Sequence, residues 1–182
     1  ALIAKPNVSQ FWLSYINVLI ELDRLYEAHS MLKKAEAIGV KGKVIDRFKA
    51  NLRSKKLEVS DDDIQIISNL VQQNKFEQAI IASNELLTDF PNSIFLNMSV
   101  GNSHAAAGRF EVALNGFEKV LEIEPKNTAA IHNLSNCYKD LGKFSKAIKY
   151  YKKLLKIDPT FYEAYYNLGS ALRESRKLEE AV

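Results

Sequence analysis

Hydrophobic positions recur over residues 60–182 at a fixed step of 34 residues, and each period contains two amphipathic stretches with helical spacing. Four kinds of position share this step: Phe76, Phe110 and Phe144; Ala79, Ala113 and Ala147; Leu86, Val120 and Leu154; Pro91, Pro125 and Pro159. A period of this length is typical of a solenoid, in which each unit buries its apolar face against its neighbours. We therefore expect a surface that serves binding rather than chemistry.

The period is clearest over residues 128–161, when positions are numbered so that the proline stands at position 32. The apolar spacing predicts a first helix over 129–141 and a second over 145–157. Gly142 can adopt the positive φ that ends a helix, and Ser145 can cap the next one. The period therefore predicts an antiparallel pair, which we call helix A and helix B of a repeat.

This unit resembles the tetratricopeptide repeat, a helix–turn–helix element with fixed places for large, small and helix-breaking residues. The resemblance is carried at positions 4, 7, 8, 11, 15, 17, 20, 24 and 32 by Ile131, Leu134, Ser135, Tyr138, Gly142, Phe144, Ala147, Tyr151 and Pro159. It implies an all-α fold, a right-handed superhelix (an α-solenoid) of antiparallel helix pairs.

The same frame predicts a regular array from residue 60 to residue 182. Its units are 60–93, 94–127, 128–161 and a truncated unit, 162–182, expected to end early in helix B. In the first unit Asn74 replaces the glycine, and Ser60 precedes three aspartates, which favour a helix start.

Residues 1–59 are predicted to form a separate segment, a repeat-like hairpin plus one extra helix. Apolar positions of the frame are filled by Trp12, Leu19, Leu25, Ala28 and Leu32. Pro6 fits position 32 of a preceding unit. The frame then slips, and an extra amphipathic helix over 44–54, in an insertion near 43–56, is marked by Val44, Ile45, Phe48 and Leu52. Residues 55–59 are expected to be a linker.

The resemblance also implies which side chains face a ligand, because the A helices of such arrays line the concave face with positions 2, 5, 6, 9, 12 and 13. Position 6 carries Asn133 and Asn167, and position 9 carries Asn102 and Asn136. A side-chain amide offers both a donor and an acceptor, so a row of amides suits an extended peptide backbone. Glycosyltransferase arrays use an asparagine row at position 6 in this way. The alternative is that these asparagines are ordinary helix-surface residues.

Aromatic and basic side chains surround the amides, which suits a peptide with some acidic or aromatic character. A chaperone-type carboxylate clamp is not predicted, because it needs lysine at position 5. The candidate peptide-binding residues are Asn102, Asn133, Asn136, Asn167, Met98, His132, Tyr166, Lys139 and Arg173.

Other features favour a binding module without a cofactor, a metal or nucleic acid. The histidines have no partners at metal-ligand spacing, and Cys137, the single cysteine, is predicted to lie in the core. Lysines cluster at 139, 143, 146, 149, 152, 153 and 156, and we interpret them as a solvated convex face. The net charge is +3, and no aromatic platform interleaves the lysines, so no nucleic acid is expected.

The sequence predicts no membrane span and no signal peptide, and the lone thiol fits a reducing compartment, so we expect a cytoplasmic location. We predict a non-catalytic protein–protein interaction scaffold that binds a peptide or a partner helix. The segments 133–136 and 165–169 resemble arrays ahead of O-GlcNAc-transferase-like glycosyltransferases. The segment 11–16 resembles bacterial multi-repeat proteins that can carry a glycosyltransferase or sulfotransferase domain. One alternative is therefore the substrate-recruiting arm of such an enzyme. Another is end-to-end self-association through open repeat ends, with Tyr165, Leu168 and Leu172 exposed.

Overall fold

The computed structural model describes residues 6–22, 24–54 and 59–180, with side chains for 10–22, 24–52 and 59–176. It divides into two compact units, 1–60 and 61–182. The first contains α1 (Pro6–Glu21), α2 (Leu25–Ala37) and α3 (Lys43–Ser54). The second contains α4 (Asp61–Gln72), α5 (Phe76–Leu87), α6 (Ile94–Ala106), α7 (Phe110–Ile123), α8 (Thr128–Asp140), α9 (Phe144–Ile157) and α10 (Tyr162–Glu180). The described residues form no strand, which confirms the all-α prediction; the repeat boundaries stay a prediction.

The first unit is a three-helix cluster in which α1, α2 and α3 all pack against one another. Its core is formed by Ile16, Leu19, Ile20, Ala28, Leu32, Ala35, Val40, Ile45, Phe48 and Leu52. The predicted extra helix is α3, but Val44 is 41% exposed and lies outside its buried stripe. Pro6 is the first residue of α1, where a proline is well tolerated; its place at position 32 of a preceding unit stays a prediction. Residues 55–58 of the predicted linker lie outside the described residues.

The second unit consists of three helix pairs, α4–α5, α6–α7 and α8–α9, followed by α10. Each helix packs against the next one along the chain. The small residues at position 20, Ala79, Ala113 and Ala147, are fully buried. Core side chains from successive pairs, including Phe117, Leu134 and Tyr151, join in one cluster. The 34-residue step therefore corresponds to one helix pair.

The turn between helix A and helix B depends on one residue with positive φ. Asn74, Gly108 and Gly142 occupy this position with φ of 57°, 72° and 68°. Arg176 stands at the matching position of the last unit, and α10 continues past it to Glu180. The prediction that a helix B begins in this unit is therefore wrong, because a residue that favours a helical φ replaces the one that ends helix A.

The predicted cap at Ser145 is also wrong. Helix α9 begins at Phe144, and its N-cap is Lys143, which makes no side-chain capping bond. The positive φ of Gly142 leads the chain directly into helix B, so Ser145 lies inside the first turn. Helices α6 and α8 are capped by side chains: Ser93 accepts a bond from the Leu96 N–H and Asn127 from the Ala130 N–H.

Enlarging the alanine at position 20 tests this helix packing. Ala113→Leu or Ala147→Leu should lower the free energy of unfolding by about 1–3 kcal/mol, because neither side chain has room to expand. Ala129→Leu, on an exposed position of α8, is the matched control and should change little. A thermal midpoint unchanged by Ala147→Leu would contradict the assigned register.

Candidate functional site

The asparagines at positions 6 and 9 pair with each other across successive A helices. Helix α8 packs against both α6 and α10. The Asn133 Nδ2 donates to the Asn102 Oδ1 at 2.8 Å, and the Asn167 Nδ2 donates to the Asn136 Oδ1 at 3.3 Å. These two pairs form a continuous row over α6, α8 and α10, which we call the amide face.

Pairing leaves part of the amide face available to a ligand. The Asn102 Nδ2 and the Asn133 Oδ1 make no hydrogen bond to a described residue. Neither atom is buried, so both are accessible to solvent. An amide has two N–H groups and an oxygen with two lone pairs, so a single bond does not saturate it. The Asn102–Asn133 pair therefore presents a donor and an acceptor side by side.

The Asn136–Asn167 pair is tied more firmly into the fold. Tyr151, fully buried on α9, donates its hydroxyl hydrogen to the Asn136 Oδ1 at 2.5 Å. Lys139 Nζ lies 3.4 Å from the Asn167 Oδ1 and can donate to it. Each of these two amide oxygens thus has a hydrogen-bond partner within the fold. This pair therefore stabilises the amide face and offers a ligand less than the first pair does.

His132 lies between the two amides of the second pair. Its Nε2 is 3.4 Å from the Asn136 Nδ2 and 3.5 Å from the Asn167 Nδ2, and its ring centre is 4.8 Å from that of Phe161. Burial lowers the pKa of His132 below its usual 6.5; nearby Glu163 raises it, and Lys139 lowers it further. A neutral imidazole can accept a bond from either amide through Nε2, whereas a protonated one would face them as another donor.

This geometry predicts that the second unit loses stability in mild acid. The pKa of His132 and that of His104 are both lowered, chiefly by burial. The unfolded chain therefore binds more protons, and stability falls as the pH drops below 6.5, the unperturbed value, towards the folded pKa values. Urea unfolding between pH 7 and 5 measures this loss, which His132→Gln should reduce. A loss of the same size in His132→Gln would contradict a contribution from His132.

Two cavities adjoin the Asn102–Asn133 pair. One, of about 260 Å³, lies between α4 and α6 and has an apolar lining that includes Ile67, Val71, Phe95 and Met98. The other, of about 230 Å³, lies among α6, α7 and α8 beside Asn133, Asn136 and Asp140. Asn102 lines both. Sequence reasoning missed Phe95 and Asp140, although they stand at positions 2 and 13, which it expected to face a ligand.

The remaining predicted site residues divide into two groups. Met98 lines the apolar cavity, and Lys139 and His132 contact the second amide pair. Tyr166 is 81% exposed on α10. Arg173, also exposed on α10, pairs with Glu174 at 3.5 Å and makes no bond to the amide face. The structure therefore joins seven of the nine predicted residues and leaves Tyr166 and Arg173 apart from them.

The other candidate features lie outside the amide face or in the core. Cys137 is buried as predicted, and burial raises the pKa of its thiol to about 11. The lysines of α9 are exposed, and Lys146 lies over the Tyr138 ring at 5.2 Å. Within the described ranges, no three His, Cys, Asp or Glu residues group as metal ligands. None of the described helices is long and apolar enough to cross a membrane.

Comparison with known proteins identifies the repeats. Family models match over residues 104–149 (Tetratricopeptide repeat) and 135–175 (TPR repeat). No curated protein matched the chain. The first TPR domain of human RPAP3 superposes with a TM-score of 0.62 at 18% identity, covering 66% of this chain and 94% of that one.

Two further solved structures share this fold. The first TPR of Spaghetti (RPAP3), bound to the HSP90 peptide SRMEEVD, has a TM-score of 0.58 and 18% identity over 64% of this chain and 96% of that one. The Sgt2 TPR domain from Aspergillus fumigatus has a TM-score of 0.58 and 20% identity over 66% and 80%. These matches do not test a link to transferase domains, which stays a prediction. Family models for tetratricopeptide repeats therefore match residues 104–175, which supports the resemblance over that part of the chain.

Proposed function

We propose that this protein is a non-catalytic interaction module that binds an extended peptide across the amide face. The observation that carries the proposal is the Asn102–Asn133 pair, whose members bond to each other at 2.8 Å and still present a donor and an acceptor to solvent. An extended peptide alternates N–H and C=O groups along its backbone and can bond to both. Because the two amides hold each other, little side-chain entropy is lost on binding.

The cavities beside this pair favour a peptide with a large apolar side chain. The lining by Phe95, Met98, Ile67 and Val71 suits such a side chain next to a backbone held at Asn102. Lys139 supplies a cation near the second pair, with Asp140 3.8 Å from its Nζ. The structure of Spaghetti bound to the peptide SRMEEVD supports peptide binding as a use of this fold.

The alternatives derived from the sequence have different consequences. A substrate-recruiting arm of a transferase would use the same surface, with a protein substrate as the peptide. Self-association would use Tyr165 and Leu172 of α10, which are 51% and 39% exposed. Leu168 does not join them as predicted, because it packs against the core cluster. We favour the peptide module because the paired amides and both cavities meet at Asn102.

Removing the amides should weaken binding without unfolding the protein. A peptide selected from a random 12-residue library on the native chain serves as the probe. Asn133→Ala with Asn167→Ala should weaken its binding about tenfold, because the solvent-facing acceptor of Asn133 is lost at about 1 kcal/mol and Asn102 and Asn136 lose the amides that hold them in place. Calorimetric titration measures the affinity, and circular dichroism checks that helicity is kept.

The matched control changes two exposed lysines of α9. Lys149→Ala with Lys153→Ala also removes two polar side chains, but away from the amide face. It should leave the affinity unchanged. If both double variants weakened peptide binding equally, or if only the lysine variant did, the peptide site would lie outside the amide face.

A further inference from the structure

Helix α1 exposes a row of apolar residues at positions that α6, α8 and α10 bury; α4 differs and is described below. Phe11, Tyr15 and Val18 of α1 and Leu22 directly after it are 68%, 40%, 46% and 61% exposed and follow one side of the helix, at positions 3, 7, 10 and 14 of the repeat frame. We call this row the α1 face. The Phe11 and Tyr15 rings stack with their centres 6.3 Å apart, so the row is a continuous surface.

The matching positions of the second unit show what covers such a face. At positions 3 and 10, α6, α8 and α10 carry Leu96, Ser103, Ala130, Cys137, Ala164 and Ala171, and each of these is at most 2% exposed. In the described part of the chain nothing follows α10, which packs only against α9 and α8. Ala164 and Ala171 are therefore buried by the preceding helix pair, of which α9 is helix B.

Helix α4 is the exception, because most of these positions are polar in its unit. Its residues at positions 3, 10 and 14 are Asp62, Asn69 and Gln73, which are polar and exposed. Only Ile66, at position 7, is apolar there. The α1 face has four large hydrophobic residues instead, and it lacks the polar side chains that suit a permanently open end.

Volumes at the covered faces indicate which helix would fit. In each covered face, the residue at position 24 of helix B and the residue at position 3 of the next helix A are both fully buried. One member of each such pair is small and the other is large. Ser83 precedes Leu96, Phe117 precedes Ala130, and Tyr151 precedes Ala164. Since Phe11 is large, its partner should carry a small residue at position 24.

We propose that the α1 face binds helix B of a further tetratricopeptide repeat, an amphipathic helix with a small residue opposite Phe11. This partner differs from the peptide of the amide face, and the two sites lie on different units. The chain contains a suitable probe, the repeat 60–91, whose helix B carries Ser83. Fused ahead of Asn7, it places Pro91 where Pro6 stands and keeps the 34-residue step.

Trp12, the single tryptophan, lies in α1 and packs against the core of the first unit, so its fluorescence follows that unit alone. The fusion should raise the Trp12-reported thermal midpoint by roughly 4–8 °C or more. The matched control is the same fusion with Ser83→Phe in the added repeat, which should give little or no rise. An equal rise in both fusions, or no rise in either, would overturn the proposal.

A second variant separates docking at this face from a general effect of the added repeat. Phe11→Asp should change the midpoint little in the native chain, since Phe11 is largely exposed, and should cancel the rise in the fusion. Equal effects in both proteins would contradict docking at this face. The α1 face could instead bind a second copy of this chain, which sedimentation of the native chain tests. A dimer that Phe11→Asp converts to a monomer would overturn the proposal.

Discussion

Gly116→Ala is expected to lower the free energy of unfolding of the second unit by about 1–3 kcal/mol or more, although it adds one methyl group. A Cβ at Gly116 would lie 2.7 Å from the Asn97 carbonyl oxygen and 2.9 Å from the Gly101 nitrogen. Both are backbone atoms of α6, so they cannot rotate away as a side chain can. The only relief is to move α6 and α7 apart, which would loosen the packing around Phe117.

Gly169→Ala is the matched control for this prediction. Gly169 also lies inside a helix, α10, and a Cβ there would meet nothing within 4 Å. The substitution should therefore stabilise the protein by roughly 0.5–1 kcal/mol, since alanine restricts the unfolded chain more than glycine does. Urea unfolding followed by circular dichroism compares the two variants. A Gly116→Ala protein as stable as Gly169→Ala would disprove the close α6–α7 crossing.

Tyr151→Ala is the second change with a large expected effect, a loss of about 3–5 kcal/mol in the free energy of unfolding. Tyr151 is the largest fully buried side chain in the described part of the chain. It belongs to the core cluster that joins α7, α8, α9 and α10. Truncation would leave a cavity that rigid neighbouring helices cannot close.

Tyr151→Phe separates packing from hydrogen bonding at the same position. It keeps the ring and removes the hydroxyl that donates to the Asn136 Oδ1. The expected loss is about 1 kcal/mol, so the protein should still fold. Thermal unfolding of both variants tests the difference. If Tyr151→Phe proved as damaging as Tyr151→Ala, the bond rather than the ring would hold this part of the core.

The sequence predicted the helix pairs well because the residues that end helices have strong conformational preferences. Gly108 and Gly142 take positive φ, and Asn74 takes their place with φ of 57°. Where Arg176 replaces such a residue, the expected turn is absent and α10 continues. The error at Ser145 has a different origin: a favourable capping residue is not used when the preceding turn already starts the helix.

The close contact at Gly116 could not be predicted from the repeat. The matching position is small in the preceding unit, Ala82, but large in the next one, Tyr150, so the 34-residue step does not require a small residue there. The contact depends on how near α6 approaches α7. That distance follows from the packing of the pair, which only the structure provides.

The candidate site was partly predictable for a similar reason. Composition and register place asparagines at positions 6 and 9, and 31 residues separate the members of each pair. That they bond to each other depends on the packing of α8 against α6 and α10. The apolar cavity beside Phe95 depends on the contact between α4 and α6, which no periodicity describes.

The central claim is that the amide face binds an extended peptide. The most direct test is a nuclear magnetic resonance titration of the ¹⁵N-labelled chain with the peptide selected on it. We expect the side-chain amide signals of Asn102 and Asn133 to shift most, together with backbone signals of α6 and α8 near the two cavities. Signals that shift only in the lysine-rich α9, or only in residues 1–60, while those of Asn102 and Asn133 stay in place, would contradict the account.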